Sequence, residues 1–235
     1  MIKLFNTGET QETLRQDYNP DGSVLRRAQL RMLDMAIYLQ ETAKKIGIPL
    51  RLDGGNVLGA LRHGGFIPWD DDIDMVINQK DFKRFCDYLK AHPHPNYVLQ
   101  DNSTDSGFYK EWACLRDLRT ENRSHENFNS ENRRIHEAQK YRGLHIDIFP
   151  YEGNMIPWLQ HLAAKLSVNV NLKMAGRYPR AAQICYNLLH YFVFPMFRCI
   201  GKIFGNPNLY MHSYGAWFYE QNPKRIMIPH KDIVF

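Results

Sequence analysis

Four aspartates crowd into Asp70-Asp71-Asp72-Ile73-Asp74, and the chain runs from there straight into Met75-Val76-Ile77. Few features constrain a fold more. Like charges held beside an apolar strand are costly unless a cation or solvent neutralises them. Successive side chains of a strand point to opposite faces. A strand reading Asp-Ile-Asp-Met-Val-Ile therefore presents Asp72 and Asp74 on one face and turns Ile73 and Met75 into a core. Two such carboxylates suit Mg²⁺ or Mn²⁺, hard cations that take oxygen ligands and often complete their shells with substrate phosphates. A lone D-x-D is more often a solvated turn, so the chemistry has to be supported from elsewhere in the chain.

Two other pieces supply that support. Gly54-Gly55-Asn56 follows the strand-like Ile48–Leu52 and precedes a helical pattern, Asn56–Gly64. Glycines there let the backbone approach a phosphate, and the following helix N-terminus favours anions, although a glycine pair alone is usually only a tight turn. Asp147 stands between Ile146 and Ile148 in a second apolar strand, where an isolated carboxylate is expensive to bury. If this strand lies beside the first, Asp147 joins Asp72 and Asp74 as a third metal carboxylate; otherwise it caps a neighbouring backbone group. Four adjacent acids cannot all face one ion, so Asp70 and Asp71 are expected to support the turn after Pro68-Trp69. Arg62 is a candidate diphosphate contact through its forked guanidinium, against a surface salt bridge. His63 has a weaker claim of the same kind. Trp69 suits stacking on a substrate ring or cation, or plain core packing. Arg116 and Arg119 lie in a strand-like segment that can border the site.

A glycine pair, an acidic pair and a third strand aspartate, in that order, resemble the pattern of the nucleotidyltransferase superfamily. The stretch Leu52–Ile77, LDGGNVLGALRHGGFIPWDDDIDMVI, is similar at nearly every position to the signature of the LicD family, and HIDIFP resembles that family's later D-I-F-P element. The resemblance runs well from about Leu25 to Pro150 and more loosely beyond. Asn56 stands where threonine is usual, and both can hydrogen-bond a phosphate. Family members generally continue past the point where this sequence stops, with a further tyrosine-glycine segment, which puts part of the acceptor site in question. The resemblance implies a nucleotidyltransferase-type α/β (α+β) fold and catalytic metal carboxylates at Asp72, Asp74 and Asp147. It implies substrate contacts from Gly54, Gly55, Asn56, Arg62, His63 and Trp69. It also implies transfer of phosphocholine or a similar alcohol phosphate from a CDP-linked alcohol donor to a glycan or polyol-phosphate acceptor, with release of CMP. Nucleotidyl transfer with release of pyrophosphate, and a non-catalytic glycan-binding relative, are the alternatives.

The rest of the sequence sets the frame. Its 235 residues, 44% hydrophobic and 23% charged, are enough for a real core. Residues 1–22 read as an arm, 23–150 as the catalytic core with a mixed sheet and flanking helices, and 151–235 as a helical, aromatic-rich C-terminal region. Met32, Met35, Leu39, Ala43 and Ile46 predict a helix from Ser23 to Ile46, capped by Ser23 or Asp21 and ended by Gly47. Phe82, Phe85, Cys86 and Leu89 predict another. Residues 121–142 are polar and read as a mobile insertion or loop. The net charge of +5, with its basic residues dispersed, falls short of a nucleic-acid binder. Four scattered cysteines and a polar N-terminus suggest a reducing, cytoplasmic setting. The most hydrophobic stretch, Ala181–Phe204, carries Gln183, Asn187, His190, Pro195, Arg198 and Lys202, too polar a set for a membrane span. It reads as a buried, proline-kinked helix, with peripheral contact to the inner face of a membrane as the alternative.

Overall fold

The computed structural model describes residues 10–121, 130–216 and 228–229. Within the stretch read as an arm lies helix α1, Gln11–Tyr18, fixed by reciprocal hydrogen bonds between Thr10 and Thr13 at its start. The long helix α2, Val24–Lys45, falls within a residue of its predicted ends. Ser23 accepts from the Arg26 N–H as its cap, and Gly47 follows at φ +67°. A short strand β1, Leu50–Leu52, leads into α3, Gly54–His63; then come β2, Asp74–Asn78, and α4, Gln79–Ala91. After β3, Tyr97–Gln100, and β4, Ala113–Asp117, the polar insertion contains a helix, α5, Ser130–Ala138. Residues 122–129 of that insertion lie outside the described residues. Strand β5, His145–Glu152, closes the N-terminal part.

The strands form a mixed sheet in the order β1-β2-β5-β4-β3. Among the described strands only β2 and β5 run parallel; the remaining pairs are antiparallel. One face of the sheet, through Leu50, Met75, Ile77, Ile146, Ile148 and Leu115, packs on the apolar sides of α2 and α4, where Met35, Leu39, Phe85 and Leu89 are buried. Burial of these side chains, each worth roughly 1.5–3 kcal/mol, is what holds the sheet flat against its two helices. The other face carries Asp74, Val76, Cys114, Asp147 and Phe149, a sequence of register partners in which the acids sit at one end and a small apolar patch at the other.

On that second face Phe108 and Trp112, from the connection between β3 and β4, complete the apolar patch, and the C-terminal region reaches it through His212, which stacks on Phe149. This region consists of α6, Pro157–Asn169; a π turn, Val170–Met174; α7, Pro179–Leu188; a second π turn, Leu189–Val193; and α8, Phe194–Phe204. Strand β6, Leu209–His212, then returns to pair with Tyr151 and Glu152 of β5, and β7, Ile228–Pro229, pairs with β6. A second core joins these helices to β6 through Leu159, Phe194, Phe197, Met211 and Tyr214. Charged groups tie the two parts together. Arg198 donates to Glu152 at 2.9 Å, and His190 pairs with the buried Glu111 at 2.7 Å. The Ala181–Phe204 stretch is helical as expected, but only one side of it is buried, through Ala182, Tyr186, Phe194 and Phe197. Ile184, Leu188, Tyr191 and Ile203 stand more than half exposed, on a side that the rest of the described fold does not cover.

Candidate active site

Parallel pairing of β2 with β5 sets Asp74 directly opposite Asp147. Asp74 begins its strand, so Asp72 belongs to the irregular segment just before it rather than to the strand itself. Ile73 nevertheless packs into the core alongside Met75. The Asp147 N–H donates to Ile73 O at 3.1 Å, carrying the ladder one step past β2. Asp72 remains close enough to Asp147 for their charges to oppose each other.

The segment carrying the acids is held by α3. Asn56, buried in the first turn of that helix, accepts from the Asp74 N–H at 2.6 Å and donates to Asp72 O at 3.0 Å. Its side chain is therefore spent on positioning the acidic run. From α2, Gln29 reaches across to donate to Asp70 O at 2.8 Å. Gly54 opens α3 at φ +52°, a conformation that side chains resist. A Cβ built on it would lie 4.0 Å from a carboxylate oxygen of Asp74, and one on Gly55 would lie 3.2 Å from Asp70. The acids thus converge on the N-terminal end of a helix, where negative charge is favoured.

Asp70 and Asp71 are closer to the chemistry than the alternation of the sequence suggests. One carboxylate oxygen from each of Asp70, Asp71 and Asp72 lies within 4.8 Å of the others. Burial, then repulsion from Asp70, Asp71 and Asp147, pushes the Asp72 carboxyl up to about 6. Burial and the charge of Asp71 raise Asp70 as well. A donor set of crowded carboxylate oxygens whose anionic forms destabilise one another fits a hard divalent cation.

Asp147 is prepared differently. The Trp112 indole donates to its Oδ1 at 3.1 Å and the Cys114 thiol donates to the same oxygen at 2.6 Å. Burial works to raise this carboxyl. The electrostatics of His145 and Lys110, the thiol hydrogen bond and Arg116 outweigh it and hold it below the ordinary range. Burial and the charge of Arg116 push the His145 ring down. Lys110 lies over the Trp112 ring at 4.6 Å. Arg116 is buried in a cage of Gln100 and the Gly143 carbonyl.

A further pair borders the glycines. Asp53, the residue before α3, makes no side-chain cap to that helix but accepts from His212 Nε2 at 2.7 Å. Burial favours the neutral carboxyl, yet the hydrogen bond and charge of His212 and the Gly54 N–H leave it below its usual value. The His212 ring lies flat on Phe149, their centroids 4.7 Å apart. Lys110, Cys114, Asp53 and His212 were not singled out from the sequence. Cys114 was findable from the alternation of Trp112-Ala-Cys-Leu-Arg, but no local signal ties His212 to a residue 159 positions earlier.

The remaining sequence candidates fall elsewhere. Arg62 and His63 occupy the last turn of α3, eight or more residues from Gly54 and so about 12 Å along the axis. His63 contacts Gln11 of α1. Trp69 is 54% exposed, edge-on to Tyr18 at 5.1 Å. Arg119 pairs with Asp117. A hollow lined by Tyr38, Leu89 and His94 lies under edge strand β3, remote from the acids.

A mixed sheet with carboxylates at the starts of adjacent parallel strands, beside a glycine turn into a helix, defines a nucleotidyltransferase-type arrangement. The family described as LicD/FKTN/FKRP, nucleotidyltransferase domain, matches residues 47–170, more than half of the chain. The chain belongs to this family. It is 32% identical over 131 residues to the lipopolysaccharide cholinephosphotransferase LicD of Haemophilus influenzae, covering 55% of this chain and 44% of that protein. It is 30% identical over 135 residues to the mouse and human ribitol 5-phosphate transferases FKRP, covering 52% of this chain and 23% of theirs. The chain thus spans less than half the length of these relatives.

Proposed function

We propose that this protein transfers an alcohol phosphate, such as phosphocholine, from a CDP-activated donor to a glycan or polyol-phosphate acceptor on the cytoplasmic side of the cell. The observation that carries the reading is the Asp74–Asp147 register pair, with Asp72 at its mouth and the Gly54 turn beside it. Relatives named as a cholinephosphotransferase and as ribitol 5-phosphate transferases support the reaction class.

Asp72, Asp74 and Asp147 would hold Mg²⁺ or Mn²⁺, and Asp70 and Asp71, whose oxygens converge with one from Asp72, would add ligands from the rim. Such an ion, when bound, supplies charge neutralisation to the donor diphosphate. The first turn of α3 offers backbone N–H groups to the same phosphates, and Lys110 adds a cation from the β4 side. The acceptor oxygen attacks the distal phosphorus of the CDP-alcohol. A new P–O bond forms, the bond to the bridging oxygen breaks, and CMP leaves with that electron pair. The hydroxyl proton passes to a carboxylate of the cluster and on to solvent.

Incubating the protein with a panel of CDP-alcohols, Mg²⁺ and glycan extracts, and measuring CMP and pyrophosphate, tests this directly. CMP release that depends on acceptor is the expected result, with Asp74→Ala lowering it by about two orders of magnitude or more. Pyrophosphate as the product from a nucleoside triphosphate would replace the reading with nucleotidyl transfer. Undiminished CMP release by Asp74→Ala would remove the site.

A further inference from the structure

From Pro179 to Phe204, α7, the second π turn and α8 make one continuous helical run, about 39 Å long at 1.5 Å per residue. It carries two apolar stripes. The inner one, through Ala182, Tyr186, Phe194, Phe197 and Gly201, is buried against the C-terminal cores. The outer one, Ile184, Leu188, Tyr191, Phe192, Met196 and Ile203, recurs at helical spacing and is 51–72% exposed. Single exposed apolar residues need no explanation; a contiguous stripe of this length does.

Charge indicates what covers it. Between Glu152 and Glu220 the chain contains no aspartate or glutamate, and six lysines and arginines. This stretch therefore carries +6 where the whole chain carries +5. Arg198 is paired with Glu152. Lys165, Lys173, Arg177, Arg180 and Lys202 are exposed, with no acidic partner among the described residues. A second copy packed on the stripe would bring two acid-free, basic surfaces together and be opposed by their repulsion. An anionic bilayer meets both properties at once: apolar and aromatic side chains enter the interface while lysine and arginine remain at the headgroups. Among the described residues no helix is long and apolar enough to cross a membrane, so the contact is lateral.

We infer that the α7–α8 stripe docks this protein on an anionic lipid surface, with the helical run lying in the plane of the interface. The inference does not depend on the reaction proposed above. Cys199 is exposed on α8, while Cys86 and Cys114 are buried, so an environment-sensitive dye can be placed there in a Cys185→Ser background. Full-length protein is mixed with vesicles of phosphatidylcholine alone or of phosphatidylcholine containing phosphatidylglycerol, then sedimented and read by fluorescence. Binding and a blue shift are expected with phosphatidylglycerol only, weakening with salt. The double variant I184E/I203E should lose partitioning by about tenfold or more while keeping its circular dichroism and unfolding midpoint, both positions being exposed. Equal sedimentation of wild type and double variant would overturn the inference, as would absence of binding to either vesicle. A dye already blue-shifted without lipid, and responding to protein concentration, would instead assign the face to a second copy.

Discussion

At the scale of single residues, Asn56 shows how a site can be shaped by a side chain bonded to backbone. It occupies a position where the family usually has threonine, and the sequence invites a phosphate-binding role. In the structure both ends of its amide are committed to the backbone on either side of Ile73, fixing the step that sends Asp72 to the rim and Asp74 to the floor. Asn56→Ala leaves a carbonyl and an N–H without these partners in a largely buried place, a loss of about 1–3 kcal/mol. Asn56→Thr supplies one hydroxyl that can serve only part of that bridge, so a smaller loss is expected. Urea unfolding of the two variants checks the order. If Asn56→Ala unfolds at the wild-type midpoint, the amide does not hold the run. The inward turn was not legible in the sequence, because asparagine offers the same donor and acceptor to a ligand as to a backbone.

Elements were legible wherever periodicity and punctuation agreed. Helix α2 and helix α4 follow from apolar residues at three- and four-residue steps, and the strands bearing Asp74 and Asp147 follow from their isoleucine flanks. Less was readable where a short polar helix, such as α1 or α5, carries no apolar stripe, and where distant strands meet, as β6 does when it brings His212 to Asp53. The approach of α3 to the acidic segment belongs to this scale. A Cβ on Gly59 would lie 2.5 Å from the Gly65 carbonyl and 3.0 Å from the Ile67 N–H, both on the segment leading to Asp70. Gly65 has nothing within 4 Å of its own Cβ position. Gly59→Ala is therefore expected to force the segment off the helix, costing about 1–3 kcal/mol and most of the transferase activity. Gly65→Ala, one turn of chain away, should change either little. Thermal unfolding and CMP release separate the pair, and equal effects from both alanines would show that the close approach is not what positions the acids.

Across the whole molecule, charge is divided: a basic stretch, residues 153–219, that holds no acid, beside a sheet at one end of which carboxylates concentrate. That division makes stability depend on pH in two opposed ways. Asp53, Asp101, Asp117 and Asp147 have folded-state carboxyls held below their ordinary value. Their contribution is present above about pH 4 and lost as pH falls through the folded values. Asp72, raised from 3.8 to about 6, and Asp70, also raised, act the other way. The folded state holds their protons more tightly than the unfolded chain, so stability is given up as pH climbs from about 4 through about 6. His145, pushed down to about 3, sides with the first group, because its ring protonates in the unfolded chain as pH falls below about 6.5. Metal-free Asp72→Asn, which removes only the second effect, should therefore melt above wild type at pH 7.5 and draw level with it near pH 4.5, as thermal scans at the two pH values would show. A divalent cation reverses the second effect only where the carboxylates are ionised. At about a hundred times its dissociation constant, Mg²⁺ contributes roughly 2.7 kcal/mol, or about 5–10 °C in a chain of this size, at pH 7.5, and far less at pH 4.5. Asp74→Ala should remove most of the shift. A Mg²⁺ shift equal at both pH values, or unchanged in Asp74→Ala, would mean that the cation binds somewhere other than the acids at the mouth of β2 and β5.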